Sequence, residues 1–248
     1  MELIKEKIKL NFNEAAESYD SVATVQKACA VNLVDKLVKY FHKRSITTIL
    51  DLGTGTGYVP ELLVKIYPSG DYDLNDISSN MLLCAKKKIS FANPNLILGD
   101  MESIDFGSYD LITANLALQW STNLYYMLQK LYNKSNIFAF SCVLIGTFHE
   151  WTRQFKNLDT SFPIYQYPDN NTLENFLLSL YPKKYFFETK EYPIIFNNSL
   201  DFIKYLKKLG ASTAEHATSL AELKNIIKIN NKSFTVTYRV FFAILART

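Results

Sequence analysis

A run of apolar residues that ends in an acid and breaks into three alternating glycines, ILDLGTGTGYV, restricts the folds open to this chain more than any other segment. Alternating glycines let backbone N–H groups approach a ligand that side chains would hold away, and a strand–loop–helix of this kind belongs at the ligand edge of a parallel α/β sheet. The glycines stand at 53, 55 and 57, and Tyr58 takes the place of the third glycine of a G-x-G-x-x-G fingerprint. No Gly-Lys-Ser/Thr follows either, so neither pyrophosphate-cradling loop is present.

The rest of the chain repeats the same alternation. Short β-rich segments, TTILDL, DYDLND, NLILGD, YDLITAN and IFAFSCVL, are separated by the helical patterns PELLVKIY, SSNMLLCAKKKI and LYYMLQKLY, as a doubly wound sheet requires. Two helices precede the sheet, one striped by Ile8, Phe12, Ala15 and Tyr19, the other by Val25, Cys29, Leu33, Leu37 and Tyr40, with a break at Tyr19-Asp20-Ser21. Beyond Gly146 the pattern loosens, and YFFETKEYPIIF and FTVTYRVFFAILA then read as two strands flanking a helix at 199–209. The expectation is a single domain over 1–248, with an N-terminal helical lid at 1–43 and an inserted substrate-side cover at 147–184.

Composition excludes several alternatives. A net charge of +3 with dispersed lysines is too small to imply a nucleic-acid binder by itself, so charge alone excludes little. Cys29, Cys84 and Cys142 form no C-x-x-C and no zinc spacing, so they read as reduced thiols and no metal is expected. MELIKEKIKLNF lacks the apolar centre of a signal peptide, and IFAFSCVLIGTF is too short for a membrane span. The reading is a cytoplasmic, soluble monomer without nucleic-acid or membrane partners.

The strand ends carry the chemistry. Asp51, Asp76, Asp100 and Asn115 each close a predicted strand, and in an open α/β sheet such ends converge on one crevice. Singly, each aspartate is an ordinary turn residue; together with the loop they resemble the S-adenosylmethionine site of class I methyltransferases, whose loop reads D-x-G-x-G-x-G. The resemblance implies a Rossmann-like α/β fold with a mostly parallel seven-stranded sheet, helices on both faces and an antiparallel last strand. It implies that Asp51, Gly53, Thr54, Gly55 and Gly57 form the cofactor loop, that Asp76 with Ile77 meets the ribose hydroxyls, and that Met81 packs on the adenine. By the same resemblance Asp100 accepts the adenine amino group, the N–H of Met101 meets a ring nitrogen, and Asn115 stands beside the methyl donor.

Transfer of a methyl group from a sulfonium is an in-line displacement, so the enzyme aligns two atoms and excludes water. The segment NLALQW offers no histidine or lysine base. A carboxylate acceptor needs none, being anionic at neutral pH, and asks only for donors such as the indole of Trp120 or the amide of Gln26 or Gln119. FNEAAESYDSVATVQ, LDLGTGTGY, LNDISSNML, NLALQW, SCVLIGTFHE, YLKKLGA and TVTYRVFFAILAR follow in that order. From about Phe12 to the C-terminus they resemble the malonyl-acyl-carrier-protein O-methyltransferases of biotin synthesis, most weakly over 151–185.

That resemblance implies methylation of the free carboxylate of a malonyl thioester, with Gln26 and Trp120 gripping the carboxylate and Tyr19 in a lid over the cofactor. The partner is an acidic acyl carrier protein bearing the malonyl group, or malonyl-coenzyme A. Arg153, Lys156, Lys183, Lys184, Lys204, Lys207 and Lys208 are candidates to ring the tunnel mouth, Arg153 foremost for its forked geometry. His149 and Glu150 either support the fold or line the acyl pocket. The chain departs from the family at the turn 132–136, which is not Pro-Gly-Gly-like, and in the middle segment. A methyltransferase for a small free acid, aconitate-like, and a non-catalytic cofactor-binding scaffold are the competing readings.

Overall fold

In the computed structural model, which describes residues 2–41, 45–153, 167–211 and 232–247, Thr48–Leu52 forms the first strand, β1, and the rest of the sheet is arranged about it. Parallel to it run β2 (Asp71–Asp76), β3 (Asn95–Leu98), β4 (Tyr109–Asn115) and β5 (Ser135–Val143). β6 (Lys184–Phe196) and β7 (Phe234–Ala246) complete a seven-stranded sheet in the order β3-β2-β1-β4-β5-β7-β6 among the described residues. β7 runs antiparallel to both of its neighbours, β5 and β6. Strand order reverses between β1 and β4, which places a switch point directly after the glycine loop.

The central strands read as continuous apolar runs because both of their faces are covered. Leu50, Leu52, Ile112, Ala114, Phe138 and Phe140 face one core together with α5 (Leu124–Asn133) and α7 (Asn170–Ser179). Ile49, Leu111, Ile137, Ala139 and Phe242 face the other, with α2 (Thr24–Phe41), α3 (Tyr58–Leu63), α4 (Ser79–Lys88) and α8 (Ser199–Lys208). Each fully buried Leu, Ile or Phe contributes about 1.5–3 kcal/mol. Helix starts follow side-chain caps: Ser78 accepts from the Met81 N–H, Asn123 from Tyr126 and Asn198 from Asp201.

α1 (Glu2–Val22) runs past the break expected at Tyr19-Asp20-Ser21 and stops at the fully buried Ala23. The backbone nearly continues through it, since the Ala23 N–H donates to Tyr19 O at 2.9 Å and the Lys27 N–H to Ala23 O at 3.0 Å. Asp20, within the expected break, instead spends its carboxylate on Thr56 of the glycine loop and on Tyr58.

The segment 147–184 is described only in part, because 154–166 and with it Lys156 lie outside the described residues. Its described parts are α6 (His149–Arg153) and α7, and Leu173 and Leu177 of α7 sit in the core on the α5 side of the sheet. In the divergent turn, Lys134 alone separates α5 from β5, and its ammonium bonds Asp105 and the carbonyl of Phe106. No described helix is long and apolar enough to cross a membrane.

Candidate active site

The four strand ends meet beneath α1. Lys5, Ile8, Phe12 and Tyr19 of α1 roof a crevice whose floor carries Gly53, Gly55, Asn75, Asp76, Asp100 and Asn115. Ile77, Met81, Met101 and Trp120 line its walls.

The glycine loop is shaped for close approach. Gly53, Gly55 and Gly57 have φ of 57°, 55° and 87°, which side chains rarely adopt. A Cβ on Gly53 would lie 2.4 Å from the Ala117 Cβ, and one on Gly57 would lie 2.9 Å from the Ala85 Cα. A Cβ on Gly55 would meet no protein atom within 4 Å, because this part of the loop faces the crevice. The loop is held from below: the Gly55 N–H donates to Asp76 Oδ2 at 2.8 Å and the Thr54 N–H to Asn75 O at 2.9 Å.

The acids differ in environment. Asp51 is 2 % exposed, and burial raises its carboxyl to about 7 despite the Thr113 hydroxyl that donates to it at 2.6 Å. Burial raises Asp76 to about 6, against the N–H bonds from Ser78 and Gly55. Glu102 behaves oppositely: burial works against its charge, but Lys5, Thr122 and Ser121 hold it down at about 2.

Lys5 is a site residue that the sequence did not disclose. Its ammonium lies 3.2 Å from Asp100, 2.6 Å from Glu102 and 3.0 Å from the carbonyl of Trp120. Asn75 is a second. It is 1 % exposed, its amide N–H groups donate to the carbonyls of Ile97 and Gly99, and its buried Oδ1 has no partner. Leu116, at the end of β4, is a third, with a φ of 50° that places strain at the crevice wall.

The residues expected around the acceptor fall in two places. Tyr19 and Trp120 line the crevice, and the Phe12 ring meets Trp120 edge-on at 5.5 Å. Gln26 is buried behind that wall, where its backbone carbonyl accepts from Asn115 Nδ2 at 3.0 Å. Gln119 turns back on its own segment and donates to the carbonyl of Leu116 at 2.6 Å.

The basic and acyl-side candidates also separate. Lys204, Lys207 and Lys208 border a groove between α8 and α1, beside Asn11, Glu14 and Ser18. Arg153 is exposed at the end of α6. Lys183 and Lys184 do not belong to the crevice mouth. Lys184 pairs with Ala246, which in turn stands opposite Ile137 near the start of β5, so both lysines lie at the amino-terminal edge of the parallel strands. There Lys184 donates to the carbonyl of Tyr40. Glu150 ties α6 to β7 through the N–H and hydroxyl of Thr237, and His149 sits half-exposed beside it.

The site fits S-adenosylmethionine on its own chemistry: a loop open on its ligand side at Gly55, a carboxylate under the loop, a second at the next strand end, and an unpartnered acceptor on Asn75. No cluster of three or more metal-ligating side chains occurs among the described residues.

Known proteins agree with this geometry. Residues 49–134 match the family model described as a methyltransferase domain. The YcgJ protein of Bacillus subtilis superposes with a TM-score of 0.58 at 13 % identity, over 88 % of this chain and 99 % of its own. The plantazolicin methyltransferase BpumL, solved with a pentazolic desmethylPZN analogue and S-adenosylhomocysteine, gives 0.53 at 15 % identity over 99 % and 98 %. Both are likenesses of fold. In sequence, the malonyl-acyl-carrier-protein O-methyltransferase of Neorickettsia risticii is 30 % identical over 97 % of this chain and 96 % of its own length. That of Priestia megaterium is 38 % identical over 59 % and 54 %. With near full-length identity of this degree, the chain belongs to the malonyl-acyl-carrier-protein O-methyltransferase family.

Proposed function

We propose that this enzyme methylates the free carboxylate of a malonyl group carried as a thioester on an acyl carrier protein, the step that opens pimeloyl formation for biotin synthesis. S-adenosylmethionine, when bound, supplies the electrophilic methyl carbon. The glycine loop, Asp76 with Ile77, Met81, Asp100 and Met101 are assigned to hold it, with Asn115 at the reacting end. Tyr19 and the rest of α1 exclude water from above.

One observation carries the choice of acceptor. Among the described residues, the crevice presents no side chain poised to take a proton from a neutral nucleophile: Lys5 is paired with Asp100 and Glu102, and Asp76 accepts two backbone N–H bonds. An acceptor that arrives already anionic needs none. Gln26 and Trp120 are assigned to position it, and the product ester removes a charge that an apolar acyl-binding site would reject. Lys204, Lys207 and Lys208, with Arg153, suit an acidic carrier surface.

The test is mass-spectrometric detection of the methyl ester after incubation with S-adenosylmethionine, with malonyl-carrier protein, malonyl-coenzyme A, malonate and aconitate as separate acceptors. Ester formed chiefly on the carrier protein is expected. Ester formed only on the free acids would overturn the acceptor assignment and leave the cofactor site standing.

A further inference from the structure

The end of β4 carries a polar device separate from the acids of the cofactor site. Asn115 stands opposite Ser141 in the β4–β5 ladder, and both ends of its carboxamide are engaged. Its Oδ1 accepts from the Ser141 hydroxyl at 2.7 Å, and its Nδ2 donates to the backbone carbonyl of Gln26 at 3.0 Å. Ser141 is fully buried, and its Oγ also accepts from the Leu116 N–H at 3.1 Å. The same N–H reaches the Ser141 carbonyl at 3.0 Å, so Ser141 holds both Asn115 and the left-handed Leu116 that follows it.

The two ends of a carboxamide are sterically alike, and hydrogen bonding decides which is which. Here the choice is forced. A backbone carbonyl only accepts, so the end of Asn115 that faces Gln26 is the nitrogen and the end that faces the Ser141 hydroxyl is the oxygen. An amide nitrogen of this kind carries two hydrogens. Gln26 takes one, and no other described residue takes the second. Asn115 is half-buried and lines the crevice together with Gly53, Leu116 and Trp120.

What the second N–H meets follows from charge. The sulfonium and ammonium of S-adenosylmethionine are cations, and neither accepts a hydrogen bond. The group to be methylated must come to the same end of the crevice, and a carboxylate accepts from an amide N–H in a charge-assisted bond. An aspartate at 115 would set a second negative charge against it.

We infer that Asn115 donates this N–H to the malonyl carboxylate and that Ser141 is the positioning residue that fixes its direction. The inference rests on the carboxylate reading of the function. It also gives Gln26 a part in holding the acceptor that needs only its backbone carbonyl, in keeping with a side chain buried behind the crevice wall.

The test titrates the full chain, loaded with S-adenosylhomocysteine, with malonyl-carrier protein and with acetyl-carrier protein, which lacks the carboxylate. The wild type is expected to bind the malonyl form more tightly. Ser141→Ala is expected to weaken malonyl-carrier binding about tenfold, the scale of a hydrogen bond to a charged group. Its acetyl-carrier binding and S-adenosylhomocysteine affinity are expected to stay nearly unchanged, and its melting temperature to fall by a few degrees at most. In turnover it is expected to raise KM and keep kcat. As the carboxylate oxygen bonds the methyl carbon and the carbon–sulfur bond leaves its electron pair on sulfur, the acceptor's charge falls, so a donor to it serves the ground state at least as well as the transition state. In an Asn115→Ala background Ser141→Ala is expected to add less than about twofold, because its target is gone. Asn115→Asp leaves β5 untouched and carries the test where Ser141→Ala does not fold: it keeps the volume, turns the donor pole into an acceptor and is expected to lose the preference for the malonyl carrier. Equal losses for the two carriers, a loss carried instead by S-adenosylhomocysteine affinity, or an Asn115→Asp enzyme that still prefers the malonyl carrier would each overturn the inference. A wild type that binds both carriers alike and forms no ester overturns the functional reading itself, which separates the two failures.

Discussion

At the scale of single residues, the glycine loop separates folding from binding. Gly53 and Gly55 share a left-handed backbone, so alanine at either costs about 1–2 kcal/mol of strain. Only at Gly53 does the new Cβ also strike a neighbour, at 2.4 Å from the Ala117 Cβ. Gly53→Ala is therefore expected to lower the melting temperature well beyond the few degrees of Gly55→Ala. Gly55→Ala is expected to weaken S-adenosylmethionine binding at least about tenfold, because its methyl group enters the ligand's space. Calorimetric titration and a melting curve on the two variants check this, and wild-type affinity in Gly55→Ala would refute the cradle. These glycines and the strand-end aspartates were legible in the sequence because their roles are set within a few residues of chain. Lys5 was not: its partners Asp100 and Glu102 are distant in sequence and meet it only once α1 has folded over the sheet. Asn75 was hidden differently, as the unremarkable neighbour of an acid that drew the reading to itself.

At the scale of elements, α1 is fastened over the crevice at three points. Lys5 holds one end to Asp100, Glu102 and the Trp120 carbonyl. Near the middle, Asn13 accepts from the Ser78 hydroxyl at 2.7 Å and the Asn80 N–H at 3.2 Å. At the far end, Asp20 accepts from Thr56 at 2.6 Å and Tyr58 at 2.7 Å and pairs with Lys88 at 2.8 Å. Both outer fasteners use residues that line the crevice or belong to its glycine loop, so α1 and the crevice are coupled. Lys5→Ala is expected to speed S-adenosylmethionine release roughly tenfold, with a cost on the order of 1 kcal/mol because the pair is only partly screened. Asp20→Asn, which keeps an acceptor but loses the charge, is expected to have a smaller effect. Stopped-flow displacement of a bound analogue reads both, and unchanged release from Lys5→Ala would separate the lid from cofactor retention. The helical stripe of α1 was readable from Ile8, Phe12, Ala15 and Tyr19. That this stripe roofs a crevice and does not simply fill a core is a matter of what lies opposite it, which periodicity does not encode.

At the scale of the whole molecule, the buried carboxylates link stability, pH and cofactor. Burial raises Asp51 to about 7 and Asp76 to about 6, whereas both titrate near 3.8 when unfolded. Between those values the folded chain binds more protons than the unfolded one, so its stability falls as pH rises. The contribution of the protonated pair is complete below about 4 and is lost by about 7. Cofactor binding draws the other way under the assignment proposed above, in which a ribose hydroxyl donates to Asp76: that bond is stronger to the carboxylate than to the neutral acid, and the cofactor's sulfonium favours the charged form of both acids. Binding therefore releases protons, and affinity increases with pH over the range in which the apo-enzyme weakens. The increase in melting temperature on adding S-adenosylmethionine is accordingly expected to be larger at pH 8 than at pH 5.5. Asp76→Asn is expected to flatten that difference while raising the cofactor-free melting temperature at pH 8, since it removes the burial penalty of one charge. Thermal-shift curves from pH 5 to 8, with and without cofactor, decide it: an increment independent of pH in the wild type would mean that Asp76 is already ionised before the cofactor arrives.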